Sequence, residues 1–448
     1  MKKVITYGTY DLFHYGHQRL LERAKALGDY LIVAVTADDF DKARGKINVT
    51  QPLVERIESV RRTGLADEII VEEYEGQKID DVQKYGVDVF TVGDDWVGKF
   101  DYMKEYCEVV YLPRTQGVSS SEIRAKKASL RLGLAGRYAN IRKYVNECQY
   151  VNGIETAAVF TDELDDCREK FPQIPIITDN YQQFLESVDA VYIYSLPNQH
   201  YNQIKEALHM GKHVLCEAPI TLSVTHFEEL KTLAEQKGVI LMEAIKTAYS
   251  MAYARLMLMV KTGKIGEVLS VDSICTSLAD LQASDYQDLD EKWNSICAWG
   301  PTALLPIFQI LGNSYSCKYI TTNYLNAEKQ FDRFTKIAFV FPKAVASIKV
   351  GKAVKSEGEL IVSGTKGYIY VPAPWWKTDY FEIRYENPSE NRRFFYQLDG
   401  EGIRNELSIF VKAIENQRLS SYIQPETTAA IVGIIEDYYN KVDLIEIE

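Results

Sequence analysis

The stretch Gly8–His17, GTYDLFHYGH, places two of the chain's six histidines three residues apart, directly after the short β-like run KKVITY. His14 and His17 flank Gly16, and a helical pattern begins at His17. Imidazoles are thereby set beside the free backbone N–H groups of a helix start, an arrangement that suits a phosphate. For a lone histidine, a capping or core role would be the better reading; H-x-G-H directly behind G-T-Y-D favours the phosphate. A second helix start lies in RTQGVSSSEIRAKKA, where Arg114, Thr115, Gly117 and the hydroxyls of Ser119, Ser120 and Ser121 precede a charged helix. Taken alone, SSSE is a capping box. Beside His14 and His17 it becomes the other wall of a polyphosphate pocket, built of hydroxyl donors and a guanidinium.

Parallel strands are the elements that could hold such walls. Through residue 128, short apolar runs (KVITYG, YLIVAVT, EIIV, DVFTVG, VVYLP) alternate with helical patterns (HQRLLERAKALG, 54–63, 79–85). This order predicts a doubly wound parallel sheet, which binds ligands at the carboxyl ends of its strands, where GTYD and VGDDW fall. A second alternating series starts at RLGLAG and continues through IETAAVFT, VDAVYIYS, HVLCE and VILMEA, predicting another parallel sheet. After about residue 250 the texture changes. Residues 266–380 read as longer alternating strands (EVLSVDSICTSL, KIAFVFPKAVASIKVG, GELIVSGTKGYIYV) with a helix near 301–311, which predicts an open, mostly antiparallel sheet. A helix over PETTAAIVGIIEDYYNK follows. The expected domains are 1–128, 129–250 and 251–448.

Composition narrows the function. With 51 Lys and Arg against 63 Asp and Glu, the formal charge of −12 argues against a general nucleic-acid binder, which needs a dominant basic surface. There is no leader-like apolar stretch and no run of the ~20 apolar residues that crosses a bilayer, so a cytoplasmic protein without membrane insertion is expected. Seven scattered cysteines, without CxxC or paired His/Cys spacing, imply neither a disulfide framework nor a metal site made by protein side chains.

GTYDLFHYGH, VGDDWVGKFD and EVVYLPRTQGVSSSEI resemble the glycerol-3-phosphate cytidylyltransferases of the HxGH nucleotidyltransferase superfamily, over residues 1 to about 128. The resemblance implies transfer of CMP from CTP to a polyol phosphate with Mg²⁺ and release of pyrophosphate, giving a CDP-glycerol-type product for a cell-surface polymer such as teichoic acid. His14 and His17 would donate to phosphate oxygens, and Lys46 with Arg44 would hold the triphosphate and the incoming phosphate. Arg114, Thr115, Gly117 and Ser119 to Ser121 would grip the nucleotide. Thr9, Tyr10, Asp11, Gly16 and Asp94 would line or orient its site. Arg56 lies where the family has an arginine for the acceptor phosphate, but its usual neighbouring histidine is Glu55 here. That carboxylate leaves glycerol 2-phosphate, a longer polyol phosphate or an amino-alcohol phosphate open beside glycerol 3-phosphate.

SLPNQHYNQIKEALHMGKHVLCEAPI, GKIGEVLSV and GELIVSGTKGYIYV are similar to the Gfo/Idh/MocA oxidoreductase superfamily. That resemblance implies a Rossmann-type domain, NAD(P), and an open sheet that mediates dimerisation, hence a homo-oligomer. Gly136, Asn198, His200 and Glu217 are the positions left to hold a dinucleotide. The lysine of the family's EKP is Ala218 here, and the aspartate and histidine or tyrosine of its catalytic helix are Ala298 and Thr302. Tyr138 stands where the second glycine of the nucleotide loop belongs. The expectation is a retained fold without hydride transfer. The alternatives are a working reductase that makes the polyol phosphate, using Lys246 or Tyr249 as acid, and a non-catalytic dimerisation or ligand-sensing platform.

Overall fold

In the computed structural model the chain is described over residues 1–37, 49, 51–73, 76–113, 129–151, 153–278, 289, 293–377, 379–396, 398–417 and 422–448. It divides into two units, Met1–Ser129 and Leu130–Glu448.

The first unit follows from alternation along its strands. β1 (Lys3–Gly8), β2 (Tyr30–Thr36), β3 (Glu68–Glu72), β4 (Val89–Gly93) and β5 (Glu108–Leu112) pair in parallel in the order β3-β2-β1-β4-β5. Val4, Leu31, Val33 and Val35 enter the core on one face with Leu21 and Val60, while Ile5, Ile32 and Ala34 enter the other with Val82 and Phe90. Leu21 comes from α1 (Tyr15–Lys25), Val60 from α2 (Leu53–Arg62) and Val82 from α3 (Gln77–Tyr85). Strand order reverses between β1 and β4, so a crevice opens outside their carboxyl ends.

The second unit begins with a six-stranded parallel sheet built from β6 (Leu130–Gly136), β7 (Ile154–Phe160), β8 (Ile176–Thr178), β9 (Ala190–Tyr194), β10 (His213–Glu217) and β11 (Leu241–Ala244) in the order β11-β10-β9-β6-β7-β8. α4 (Tyr138–Cys148), α5 (Leu164–Lys170), α6 (Tyr181–Glu186), α7 (Pro197–His209) and α8 (Val224–Lys237) alternate with its strands. After α9 (Met251–Lys261) comes a ten-stranded mixed sheet. Its strands are β12 (Val268–Leu278), β13 (Cys317–Asn326), β14 (Phe331–Val340), β15 (Val345–Gly351), β16 (Ala353–Val354), β17 (Leu360–Gly364), β18 (Tyr368–Val371), β19 (Tyr380–Arg384), β20 (Arg392–Phe395) and β21 (Leu444–Glu446). Antiparallel pairs dominate; β12 with β15 and β13 with β21 run parallel. The α/β class expected from the sequence, two parallel sheets and a mostly antiparallel third, is borne out.

Two long stretches read as single strands are hairpins. KIAFVFPKAVASIKVG turns at Pro342 and Lys343, with Phe341 N–H donating to Ala344 O at 2.8 Å, and GELIVSGTKGYIYV turns between Gly364 and Gly367. The helix expected at 301–311 starts six residues earlier, as α10 (Ser295–Leu311) with both Pro301 and Pro306 inside it. Its start is fixed by Asn294, whose side chain accepts from Cys297 N–H, and by Asp332, whose Oδ1 accepts from Ser295 and Ile296 N–H at 2.8 and 3.1 Å. Burial of Ile296, Leu304, Leu305 and Ile307 offsets the hydrogen bonds that the prolines forgo. α11 (Ile403–Glu415) and α12 (Pro425–Tyr439) complete the unit, and one apolar core joins Leu132 and Leu215 of the Rossmann-type sheet to Ile320 and Val362 of the mixed sheet and Ile431 of α12.

Candidate functional site

β1 ends at Gly8, and the chain reaches α1 through a loop in which Tyr10 and Leu12 both take left-handed backbone, φ +54° and +48°. Such residues cost ~1–3 kcal/mol each and persist only where the surroundings hold them. Three contacts do so. The Tyr10 ring folds back over Gly8, where a Cβ would come within 2.9 Å of it. Gln51 answers the loop twice, its N–H donating to Asp11 Oδ1 at 2.9 Å and its Oε1 accepting from Leu12 N–H at 2.8 Å. Arg56 of α2, fully buried, donates from Nη1 to Thr9 O (2.7 Å) and Thr36 O (2.9 Å), and from Nε to Gln51 O (3.0 Å). One guanidinium thus ties together the ends of β1 and β2 and the entry to α2.

This clamp presents the histidines. His14 is the extended N-cap of α1, and its Nδ1 accepts from Gly16 N–H at 3.1 Å. An accepting nitrogen carries no proton, so the neutral ring keeps its N–H on Nε2. The His17 ring stacks on it, centroids 3.9 Å apart and 21° from parallel, and is itself flanked by Tyr10 and Phe13 at 5.5 Å. Across the crevice, β4 gives way at Asp94 to a short 3₁₀ turn, Asp94–Trp96, with Asp94 exposed. A buried polar set stiffens the neighbouring strand ends: Thr36 donates to Glu72, Lys78 bridges to Glu72, and Tyr7 donates to Asp81 at 2.9 Å.

Thr9, Asp11, His14, Gly16, His17 and Asp94 therefore gather at the carboxyl edge of one sheet. Arg44, Lys46, Arg114, Thr115, Gly117, Ser119, Ser120 and Ser121 lie outside the described residues. Two of the expected residues are covered. The Tyr10 side chain is 1% exposed and its backbone is left-handed. Arg56 is fully buried, with Nε and Nη1 on three carbonyls. Gln51 was missed; its partners lie 39 and 40 residues away, and a glutamine before proline carries no signal for them.

In the second unit three of the four residues left for a dinucleotide, Gly136, His200 and Glu217, are packed or bonded internally. Gly136 lies so close to β9 that a Cβ would meet Tyr194 O at 2.8 Å. His200 is fully buried, its ring nitrogens facing Pro219 O at 2.9 Å and Ser195 O at 3.0 Å, and burial pushes its pKa down to about 4. Glu217 accepts from Tyr192 and from Tyr144 (3.4 Å) and faces Lys246 Nζ at 3.8 Å. Asn198 is exposed on α7. Of the two acids considered, Lys246 joins this cluster, donating to Tyr144 OH at 3.3 Å, whereas the Tyr249 hydroxyl is buried and donates to Glu243 O. Glu406, fully buried on α11, completes the set opposite Tyr144 OH at 3.3 Å. Burial above all, with Glu217 nearby, raises its carboxyl well above the usual range, against the lowering effects of Lys246 and the Tyr144 hydrogen bond.

At the start of α4, Tyr138 N–H donates to Glu163 Oε2 at 2.8 Å. Glu163 is steadied by its own N–H on Thr161 Oγ1 (3.1 Å), and Arg137 pairs with Asp162 at 3.1 Å. Among the described residues no helix is long and apolar enough to cross a membrane.

Residues 5–126 match the family model described as cytidylyltransferase-like, and residues 130–245 match the oxidoreductase family with an NAD-binding Rossmann fold. A glycerol-3-phosphate cytidylyltransferase of Bacillus spizizenii is 54% identical over 131 residues, covering 29% of this chain and 100% of the relative. The Staphylococcus aureus enzyme of the same name is 50% identical over 126 residues, 28% of this chain and 93% of that one. A crystal structure of a 3-ketoreductase from Actinomadura kijaniata, in complex with NADP and TDP-benzene, is similar in fold at a TM-score of 0.63 and 17% identity, covering 71% of this chain and 100% of that one.

Replacing Arg56 by lysine, a point charge that cannot span three acceptors, should lower the stability of the first unit by about 2–5 kcal/mol, read by thermal or urea unfolding. Glu406 holds a proton that the unfolded chain releases above its ordinary pKa of about 4.3. Its contribution is therefore complete below that value and is lost as pH rises through the raised one. Glu406→Gln, which keeps a neutral side chain of the same shape, should flatten the fall of Tm between about pH 5 and pH 9.

Proposed function

The chain belongs, through its first unit, to the cytidylyltransferase-like family, and on that premise we propose that it transfers CMP from CTP to a polyol phosphate, glycerol 3-phosphate first, releasing pyrophosphate. An oxygen of the acceptor phosphate bonds to the α-phosphorus as the bond to the β-phosphate oxygen breaks. The observation that carries the reading is the stacked pair His14 and His17 at the N-terminus of α1, beside the crevice between β1 and β4.

With Nδ1 engaged by Gly16 N–H, His14 has Nε2–H as its donor for phosphate oxygens whose charge shifts during transfer. Neither histidine needs to be a nucleophile; both act by position and charge. Lys46, Arg44, Arg114 and the serines 119–121 supply the remaining cations and hydroxyls for the triphosphate. Arg56, Asp11 and Gln51 hold the histidine loop in place rather than touching the reacting atoms. Bound with CTP, Mg²⁺ would supply positive charge to the triphosphate. The product is a CDP-polyol for a cell-surface polymer, made in the cytoplasm where CTP is supplied.

For the second unit we read a retained oxidoreductase fold without hydride transfer. Ala218 offers a methyl group where the family has its lysine, and a methyl group can neither donate a proton nor polarise a carbonyl. Assembly is the role that fits its mixed sheet: Tyr319, Val340 and Val345 stand exposed on the face turned away from α10.

A pyrophosphate-release screen with CTP, and ATP alongside, against glycerol 3-phosphate, glycerol 2-phosphate and longer polyol phosphates tests the reading; no release with any of them refutes it. His14→Ala or His17→Ala should leave a folded protein whose transfer rate falls by about 10²–10³. A fragment ending at Ser129 should keep the transfer activity, while the longer chain, and not the fragment, should sediment as an oligomer.

A further inference from the structure

Glu163 and Tyr138 together bear on whether the Rossmann-type sheet of the second unit can take the dinucleotide its fold implies. In such sheets the pyrophosphate rests on the N-terminus of the helix after the first strand, where free backbone N–H groups and the positive end of the helix dipole meet its charge. The close approach depends on the second glycine of the turn. Here that helix is α4, following β6.

Each requirement is met by something that excludes the ligand. The N–H of Tyr138, first residue of the helix, is already bound at 2.8 Å to a carboxylate of the chain itself, Glu163 Oε2. A pyrophosphate would have to displace this anion and stand beside it. Glu163 is not a loose surface group: its backbone N–H is fixed on Thr161 Oγ1, Thr161 is 3% exposed, and the adjoining Asp162 pairs with Arg137, the N-cap residue of α4. Where the second glycine belongs, Tyr138 puts a ring that packs at 5.2 Å from Phe171. The surviving Gly136 has a reason that needs no ligand, because any Cβ there would strike Tyr194 O.

The geometry points to a self-occupied anion site: we propose that Glu163, with Tyr138, closes the second unit to NAD(P) by filling the pyrophosphate position with the protein's own carboxylate. The residues present do not fit the cofactor. This goes beyond the missing catalytic groups, since Ala218 or Thr302 would stop chemistry without stopping binding. It rests on nothing in the transferase reading.

The test is titration of the full-length chain with NADPH and with NADH, followed by nicotinamide fluorescence anisotropy, with CTP present to fill the first unit. The wild-type chain should show no saturable binding at millimolar dinucleotide. Glu163→Ala/Tyr138→Gly should gain saturable binding at least ~10-fold tighter than any wild-type signal. Should the double variant melt early, Glu163→Ala alone is read in the same way, with a smaller gain expected. Micromolar binding by the wild type overturns the proposal. So does a folded Glu163 variant that binds no better than wild type, because the carboxylate would then not be what closes the site.

Discussion

A buried guanidinium needs acceptors, and Arg56 finds three of them on three backbone segments. The carbonyls of Thr9, Thr36 and Gln51 belong to the ends of β1 and β2 and to the approach to α2, so satisfying one charge fixes the mutual positions of all three. Leaving a buried charge unmet costs several kcal/mol, which makes the arrangement close to all-or-none. The strained backbone at Tyr10 and Leu12 is held in this frame, and from that strained loop α1 begins with His14 as its cap. The placing of the histidine loop thus rests on Arg56.

The two units put similar polar residues to opposite uses. In the first, the side chains at strand ends support a loop that turns imidazoles toward a crevice. In the second, at the corresponding edge of its parallel sheet, Glu217, Tyr144, Tyr192, Lys246 and Glu406 turn toward one another. His200 spans two loops, from Ser195 O to Pro219 O, as a brace. The set is not closed on itself, since Glu406 Oε2 is buried without a hydrogen-bond partner.

Much of this was legible in the residues. Short continuous apolar runs located the parallel strands, because a strand covered on both faces must be apolar on both, as Leu31 to Val35 are. The spacing of His14, Gly16 and His17 revealed the helix start and its imidazoles, a local matter of three residues. What escaped the sequence was long-range. Nothing beside Gln51 says that Asp11 and Leu12 will meet it, and nothing beside Glu163 says that it will cap a helix beginning 25 residues earlier. The burial of the Tyr10 and Arg56 side chains was not legible either, since identity and position do not say whether a group faces the crevice or the core. The start of α10 was misjudged for a related reason: Pro301 looks like a first-turn proline until Asp332, from a distant strand, is seen to hold Ser295 and Ile296.

The apolar interior that runs unbroken from β6 and β10 through β13 and β17 to α12 sets how this chain could be rearranged by recombination or by engineering. A break after Ser129 falls between the two units, whereas a break near Ser250 would strip Leu132, Tyr144 and Leu215 of the neighbours that cover them and leave sticky, insoluble halves. The Rossmann-type sheet and the mixed sheet must therefore be inherited together.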